Sequence, residues 1–314
     1  MSDSELRQLG PSGLTVSAVG LGCNSFGVTV APDQVPGVVG AALDAGITFF
    51  DSADTYGSQA GQGEELLGKA LGSRRDDVVV ATKFGMDTGG LNGPDWGVRG
   101  SRRYIRKAVE GSLRRLGTDY IDLYQMHAPD LRTPIEETLA ALAELVGEGK
   151  VRYLGCSNFS GWQIIDADWT ARTAAGPPFL SAQNEYSLLN RKVEQEVIPA
   201  VEHIGAGLLP YFPLASGLLT GKYARGQDAP EGTRLTRRPD RLAAADFDVI
   251  EALQDFARDR DLTLLQVAMG WLAAQPTVAS VIAGASKPEQ VHANAAALWE
   301  PSAADLVRLD ELTG

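Results

Sequence analysis

Asp51, Tyr56, Lys83 and His127 are the residue types that one proton transfer needs. A free phenol titrates near ~10, too weakly acidic to protonate a substrate efficiently at neutral pH. A nearby ammonium favours the phenolate and lowers that value. Lys83 supplies the ammonium, and Asp51 supplies a carboxylate to hold it and partly offset its charge. His127 is placed to hydrogen-bond a substrate oxygen beside the phenol. Such a set donates a proton to a carbonyl oxygen while hydride attacks the carbon, and a tuned acid contributes roughly 10²–10⁴-fold. No side chain supplies hydride, so the chemistry implies a nicotinamide cofactor. Singly, each residue has a plainer reading: a loop cap, a packed aromatic, a satisfied structural histidine.

These residues fall at the ends of apolar runs. The runs are Val19–Gly22, Ile47–Asp51, Val78–Lys83, Ile121–His127, Val151–Ser157, Leu180–Tyr186, Gly207–Phe212 and Val278–Ala283. They lack strict polar alternation, as strands covered on both faces do. Amphipathic stretches separate them, at 35–45, 63–71, 160–175, 193–204, 247–259, 263–274, 288–298 and 303–312, with another starting near Ser101 and ending at Gly117. A further one opens at Thr133-Pro134-Ile135-Glu136, where Thr133 predicts a cap, Pro134 the first helical position and Glu136 a capping box. Repeated strand–helix units predict an α/β protein, a (β/α)8 TIM barrel with an N-terminal β-hairpin at Arg7–Val16 placed to plug its floor. A doubly wound open sheet is the competing architecture. In such a barrel the C-terminal strand ends face the active-site mouth. Long connections at 84–100 and 213–246 are functional candidates.

The chain has 314 residues, 44% hydrophobic and 22% charged, enough for a buried core in one domain, 1–314. Forty acidic against 28 basic residues give a net charge of −12, which argues against nucleic acid or anionic membrane as a partner. Two cysteines, Cys23 and Cys156, make neither a disulfide framework nor a metal site. The N-terminal segment MSDSELRQLG has no apolar signal core, and no run approaches the ~18 apolar residues of a membrane span. A cytoplasmic location is expected. Phe26 and Trp96 either line a substrate pocket or cover the barrel rim. Trp162, Trp169, Trp271 and Trp299 are expected to pack outer helices.

Seven stretches together resemble the aldo-keto reductase family over nearly the whole chain. They are FFDSADTYG (49–57), VVVATKFG (78–85), DYIDLYQMHAPD (119–130), GKVRYLGCSNFS (149–160), AQNEYSLLNR (182–191), PYFPLASGLLTGKY (210–223) and VIAGASKPEQVHAN (281–294). The last two are most similar to the branch holding bacterial reductases and potassium-channel β-subunits. The resemblance implies a tetrad of Asp51, Tyr56, Lys83 and His127, with Tyr56 as general acid in reduction. It implies NADPH lying across the mouth and a small-molecule carbonyl substrate. Gly22, Cys23, Asn24 and Asp51 would approach this cofactor. Ser157, Asn158 and Gln183 would bond its carboxamide, and Tyr211 would stack on the nicotinamide beside Phe212. Pro213, Leu214, Ala215, Gly217, Leu218 and Lys222 would fold over the pyrophosphate, with Arg234 clamping the same end. Gly284, Ser286, Gln290 and Asn294 would meet the adenosine 2′-phosphate and adenine.

Departures bear on cofactor choice. Many members carry arginine in place of Gln290, glutamate in place of Ala293, serine in place of Phe212 and threonine near Cys23. NADPH is still expected over NADH, with Lys287 and Arg234 supplying charge near Ser286. The short segment after the last helix predicts an open pocket with broad substrate tolerance. The alternatives are a nicotinamide-binding regulatory subunit with little turnover, and a barrel enzyme acting on sugar phosphates without nicotinamide. The physiological substrate and oligomeric state are not legible in these residues.

Overall fold

A computed structural model describes residues 5–314, the side chain of Arg237 excepted. The first four residues of the expected 1–314 domain, and of the polar N-terminal segment, lie outside the described residues. Ten strands occur among the rest: β1 (Leu6–Gln8), β2 (Thr15–Ser17), β3 (Val19–Gly22), β4 (Phe49–Asp51), β5 (Val79–Phe84), β6 (Ile121–Met126), β7 (Val151–Ser157), β8 (Phe179–Gln183), β9 (Gly207–Leu208) and β10 (Val281–Gly284). Strands β3 to β10 form one parallel sheet in the order β10-β3-β4-β5-β6-β7-β8-β9. Its two edges meet. Leu208 N–H donates to Thr277 O at 2.7 Å, Ala279 N–H to Leu208 O at 3.0 Å, and Ile282 N–H to Pro210 O at 3.0 Å. The sheet thus closes into the expected barrel, and the open doubly wound sheet is excluded.

Eleven α-helices clothe it among the described residues: α1 (Val35–Asp44), α2 (Gln62–Leu71), α3 (Arg102–Leu116), α4 (Ile135–Gly147), α5 (Gly161–Thr173), α6 (Val197–Ile204), α7 (Pro239–Ala243), α8 (Phe247–Arg258), α9 (Leu264–Ala273), α10 (Pro288–Ala295) and α11 (Ala303–Thr313). Ser101 caps α3 by accepting from Tyr104 N–H, and Gly117 ends it in the left-handed region that a side chain would disfavour. The start of α4 differs from expectation. Pro134 itself is the N-cap, with no side-chain cap bond. The Thr133 hydroxyl instead donates to Asp130 Oδ2 at 2.7 Å, so the loop carboxylate outcompetes the helix for it.

Hydrophobic burial forms two layers. One lies between sheet and helices; the other lies inside the barrel, where Leu9, Leu14 and Val16 of the hairpin pack with Phe49, Ala81, Leu123 and Leu209. The hairpin therefore fills the floor. Period-two alternation then fixes what reaches the mouth. Phe49 and Asp51 point inward on β4, Ala81 and Lys83 on β5, Leu123 and Gln125 on β6, and the ladders pair Asp51 with Ala81 and Lys83 with Gln125. The intervening Thr82 faces outward to Glu64 on α2, 2.6 Å from it. Trp271 is fully buried, but Trp162 and Trp169 are 65% and 72% exposed, so these two do not pack the outer layer as expected. Both sit on α5, where neighbouring helices leave that face uncovered.

Candidate active site

The carboxylate, amine and phenol converge at the barrel mouth. Lys83 is fully buried, and its three ammonium protons have three acceptors. They go to Asp51 Oδ2 at 2.6 Å, Ser52 O at 2.8 Å and the Tyr56 hydroxyl oxygen at 3.3 Å. The phenol oxygen is thus the acceptor, and its own proton remains free to be given away. The second carboxylate oxygen of Asp51 accepts from Gln183 Nε2 at 2.9 Å and Gln125 Nε2 at 3.1 Å. A buried ion pair needs such supplementary bonds to offset its desolvation.

Burial alone would depress the Lys83 ammonium, but Asp51 and Tyr56 outweigh it and hold the amine above its ordinary value. The ammonium is therefore charged at neutral pH. The Tyr56 phenol differs from the expectation of a lowered value. Burial is the largest influence and raises it, Lys83 lowers it, and Asp51 raises it again. Lys83 restrains the rise without reversing it. His127 is buried, its ring set edge-on to Tyr56 with centroids 5.9 Å apart. Burial and the Lys83 charge press its imidazole down to about 3, so the ring is neutral at physiological pH. Its Nδ1 has no partner among the described residues.

The neighbouring strand ends form a second polar line. Tyr211 donates to Asn158 Oδ1 at 2.8 Å, and Asn158 Nδ2 donates to His127 O at 2.9 Å and to Ser157 Oγ at 3.2 Å. Asn158 takes a left-handed backbone, φ 60°, to face the mouth. Gln183 is buried and spends its amide on Asp51, so it braces the carboxylate in this arrangement. Gln125 does the same and was missed by sequence reasoning. Its signal was an amide two positions before His127, inside a buried strand.

The segment after Tyr211 is backbone-strained. Phe212, Ala215, Ser216 and Gly217 have φ of 54°, 46°, 62° and 98°. Such successive residues turn N–H groups toward a common concavity, a geometry suited to anions. Pro213 is buried, Leu214 and Ala215 are partly so, and Leu218 is buried beneath the turn. The Arg234 guanidinium lies 4.7 Å from the Phe212 ring centre, and Arg241 donates to Ser216 Oγ at 3.1 Å. Lys222, Arg234 and Arg241 have no carboxylate partner among the described residues. Partial burial and the like charges of Arg241 and Arg238 both depress the Arg234 guanidinium. Uncompensated cations beside a concave backbone are a demand for an anion, and they fit the phosphates of a dinucleotide.

Opposite, β3 and β10 pair Gly22 with Gly284 at the rim. A side chain at Gly22 would press on Ile282, and Asn24 approaches Gly284. Ser286 donates from N–H and Oγ to Gln290 Oε1 at 2.8 and 3.0 Å at the start of α10, so Gln290 closes that turn. Asn294 is buried on the same helix. Cys23 is fully buried with its thiol on Leu21 O, and burial pushes that thiol up, so only its backbone faces the rim. Phe26 is fully buried in the outer hydrophobic layer. Trp96 is 66% exposed, with the Arg103 guanidinium 3.9 Å from its ring centre.

A closed parallel barrel with an ammonium-linked phenol at its mouth defines a class of barrel oxidoreductase. The chain belongs to the aldo/keto reductase family, whose sequence model matches residues 18–313. It is 38% identical to the Uncharacterized oxidoreductase YrpG of Bacillus subtilis (strain 168), over 91% of this chain and 89% of that one. It is 35% identical to an L-glyceraldehyde 3-phosphate reductase of Escherichia coli O157:H7, over 94% and 87%. It is 38% identical to a Probable voltage-gated potassium channel subunit beta of Oryza sativa subsp. japonica, over 94% and 91%. No helix among the described residues is long and apolar enough to cross a membrane.

Proposed function

We propose that the protein reduces small aldehydes and ketones to alcohols with NADPH, and that Tyr56 is the general acid. The observation that carries this is the continuous hydrogen-bonded chain Asp51–Lys83–Tyr56, ending on a phenol whose proton is uncommitted. The bound dinucleotide supplies a hydride equivalent to the carbonyl carbon. All other steps belong to the chain. Tyr56 gives its proton to the carbonyl oxygen, and Lys83 stabilises the phenolate left behind. Neutral His127 has one N–H to donate, and offers it to the same oxygen without competing as an acid. Asp51 keeps Lys83 in place, with Gln125 and Gln183 keeping Asp51 in place. Asn158 and Ser157 hold the carboxamide, and Tyr211 stacks on the ring it belongs to. The 212–222 turn with Lys222 and Arg234 takes the pyrophosphate, and Ser286 with Lys287 favours the 2′-phosphate at the start of α10.

The buried, unpaired state of Cys23 and Cys156 suits a reducing compartment, and we place the protein in the cytoplasm as a single barrel domain. Small aldehydes are the substrate class we favour, in keeping with the relative named for glyceraldehyde 3-phosphate. The test is the fall of NADPH absorbance with a reactive aromatic aldehyde. Tyr56→Phe should remove roughly 10²–10⁴-fold of the rate. Normal turnover by that variant would end the assignment. Tight NADPH binding without turnover of any carbonyl compound would favour a cofactor-sensing subunit, the reading that the channel-subunit relative suggests.

A further inference from the structure

The reduction leaves one fully buried carboxylate without a task. Glu64 lies in the first turn of α2, has no exposed surface, and is enclosed between that helix and β5. A buried charge is costly unless it is paired and hydrogen-bonded. Both of its oxygens are occupied. Oε1 accepts from the Thr82 hydroxyl at 2.6 Å, and Oε2 accepts from Arg115 Nε at 2.6 Å. Arg115 comes from α3, and a side chain at Gly61 or Gly111 would collide with it. Its other nitrogens donate to Ser112 Oγ at 3.3 Å and Asn92 Oδ1 at 3.5 Å.

The chain neighbours of this cluster are the reacting groups. Gly63, immediately before Glu64, donates its N–H to Tyr56 O at 2.8 Å. A Cβ at Gly63 would stand 2.9 Å from Tyr56 Cβ, so the tyrosine rests directly on the first turn of α2. Thr82, at the other end of the carboxylate, immediately precedes Lys83 on β5. Glu64 therefore joins the helix on which the phenol rests to the strand that carries the ammonium. No other side-chain hydrogen bond links α2 to β5 among the described residues. A second route leads back to the same strand: Asn92 Nδ2 donates to Asp54 Oδ2 at 3.0 Å, and Asp54 N–H donates to Lys83 O at 3.1 Å. Thr82, Glu64, Arg115, Asn92 and Asp54 thus form a ring of hydrogen bonds around the Tyr56 turn, and Arg115 is its outer support.

We infer that Glu64 is a positioning residue: held between Thr82 and Arg115, it sets the spacing between the Tyr56 phenol and the Lys83 ammonium. That spacing has little slack. At 3.3 Å the contact already stands at the long end of the hydrogen-bond range, and a further shift of about 0.5 Å breaks it. The phenol would then lose the cation that stabilises its conjugate base.

The kinetic consequence rests on the proposed reduction; the spacing itself does not. Thr82→Val removes the hydroxyl, keeps a shape that a strand accepts, and leaves Glu64 paired with Arg115. At saturating NADPH its kcat for an aromatic aldehyde should fall about tenfold, with KM and the NADPH dissociation constant each within about twofold of the wild type. The solvent deuterium isotope effect on kcat should rise, because proton donation from a displaced phenol becomes the slow step. A crystal structure of the variant should place Lys83 Nζ more than about 3.5 Å from the Tyr56 oxygen. Glu64→Gln is the conservative control. Its amide oxygen accepts from Arg115 while its amide N–H donates to the Thr82 hydroxyl, so kcat should stay within about threefold of the wild type. Wild-type kcat in Thr82→Val, a fall in kcat with isotope effect and separation unchanged, or a Glu64→Gln variant as slow as Thr82→Val would each overturn the inference. A wild type that turns over no carbonyl compound would defeat the proposed reduction, and the separation in crystals of the wild type and of Thr82→Val would then decide the role of Glu64 alone.

Discussion

Lys83→Met separates the amine's two duties, holding the fold and tuning the acid. In the wild type its charge sits 2.6 Å from Asp51 and 3.3 Å from the Tyr56 oxygen, with no exposed surface. Methionine matches its length and removes the charge. Asp51, 2% exposed, would then retain only the amides of Gln125 and Gln183. Removing one partner of a buried pair costs about 3–5 kcal/mol, which lowers the melting temperature by roughly 6–10 °C. At an effective dielectric of about 20, the attraction between ammonium and phenolate at their separation is about 5 kcal/mol. Asp51 cancels part of it, and the usual net effect of one close opposite charge is roughly one to three pKa units. Proton donation should therefore slow by about 10²–10⁴-fold, read as kcat in the NADPH absorbance assay. Adding Asp51→Asn removes the orphaned charge, so the double variant should recover most of the stability and none of the turnover. A single variant with wild-type melting and kcat, or a double variant with restored kcat, would refute the electrostatic account.

Other expectations follow from the same geometry. Gln125→Leu removes one of the two amides that hold Asp51 Oδ1 and should cost about 1–3 kcal/mol in urea unfolding, with a smaller loss of kcat than Lys83→Met. Because the His127 imidazole is held down at about 3, kcat/KM should show no inflection near its ordinary 6.5. The unfolded chain protonates this ring first, so its contribution to stability is present above about pH 6.5 and is lost as pH falls toward 3. Asp54 has the opposite sign: with its folded value raised to about 8, stability falls as pH rises from about 4. The two oppose each other up to about pH 6.5. From there to about pH 8 Asp54 acts without that opposition, and Asp54→Asn should abolish a decline of roughly 1–2 kcal/mol in chemical denaturation curves. Arg234→Ala should weaken NADPH binding about tenfold in fluorescence titrations and reduce its salt dependence, while tryptophan quenching at saturation stays intact.

The barrel was legible because both faces of its strands are covered. That leaves continuous apolar runs, and Val19–Gly22 and Val151–Ser157 match β3 and β7 to the residue. Other limits shifted where ladder bonds, not side chains, decide. The run Gly207–Phe212 contributes only Gly207–Leu208 as strand, because the chain then crosses to close on 277–282. Asp51, Lys83 and His127 stood out in the sequence because polar residues at the ends of buried strands have no packing purpose. The braces could not. Gln125, Asp54, Asn92 and Arg115 look like ordinary polar residues until the fold buries them against one another. The tryptophans of α5 departed from expectation for a related reason: an aromatic in sequence carries no record of which side of its element is covered. The short turns at Gly72–Asp77, Ala215–Thr220 and Arg234–Arg237, and helix α7, carried no periodicity long enough to detect.

Thr82 and Lys83 are consecutive residues serving opposite sides of β5, the hydroxyl toward Glu64 and the amine toward Asp51. A slip of one residue against β4 and β6 would exchange them, sending the amine out to the helices and a hydroxyl into the mouth. What prevents that slip is the fit of Val79 and Ala81 against the hairpin far below. The strength of an acid at one end of the molecule is in this sense a property of the strand alignment secured at the other, and a substitution at the floor can silence the chemistry without touching a reacting group.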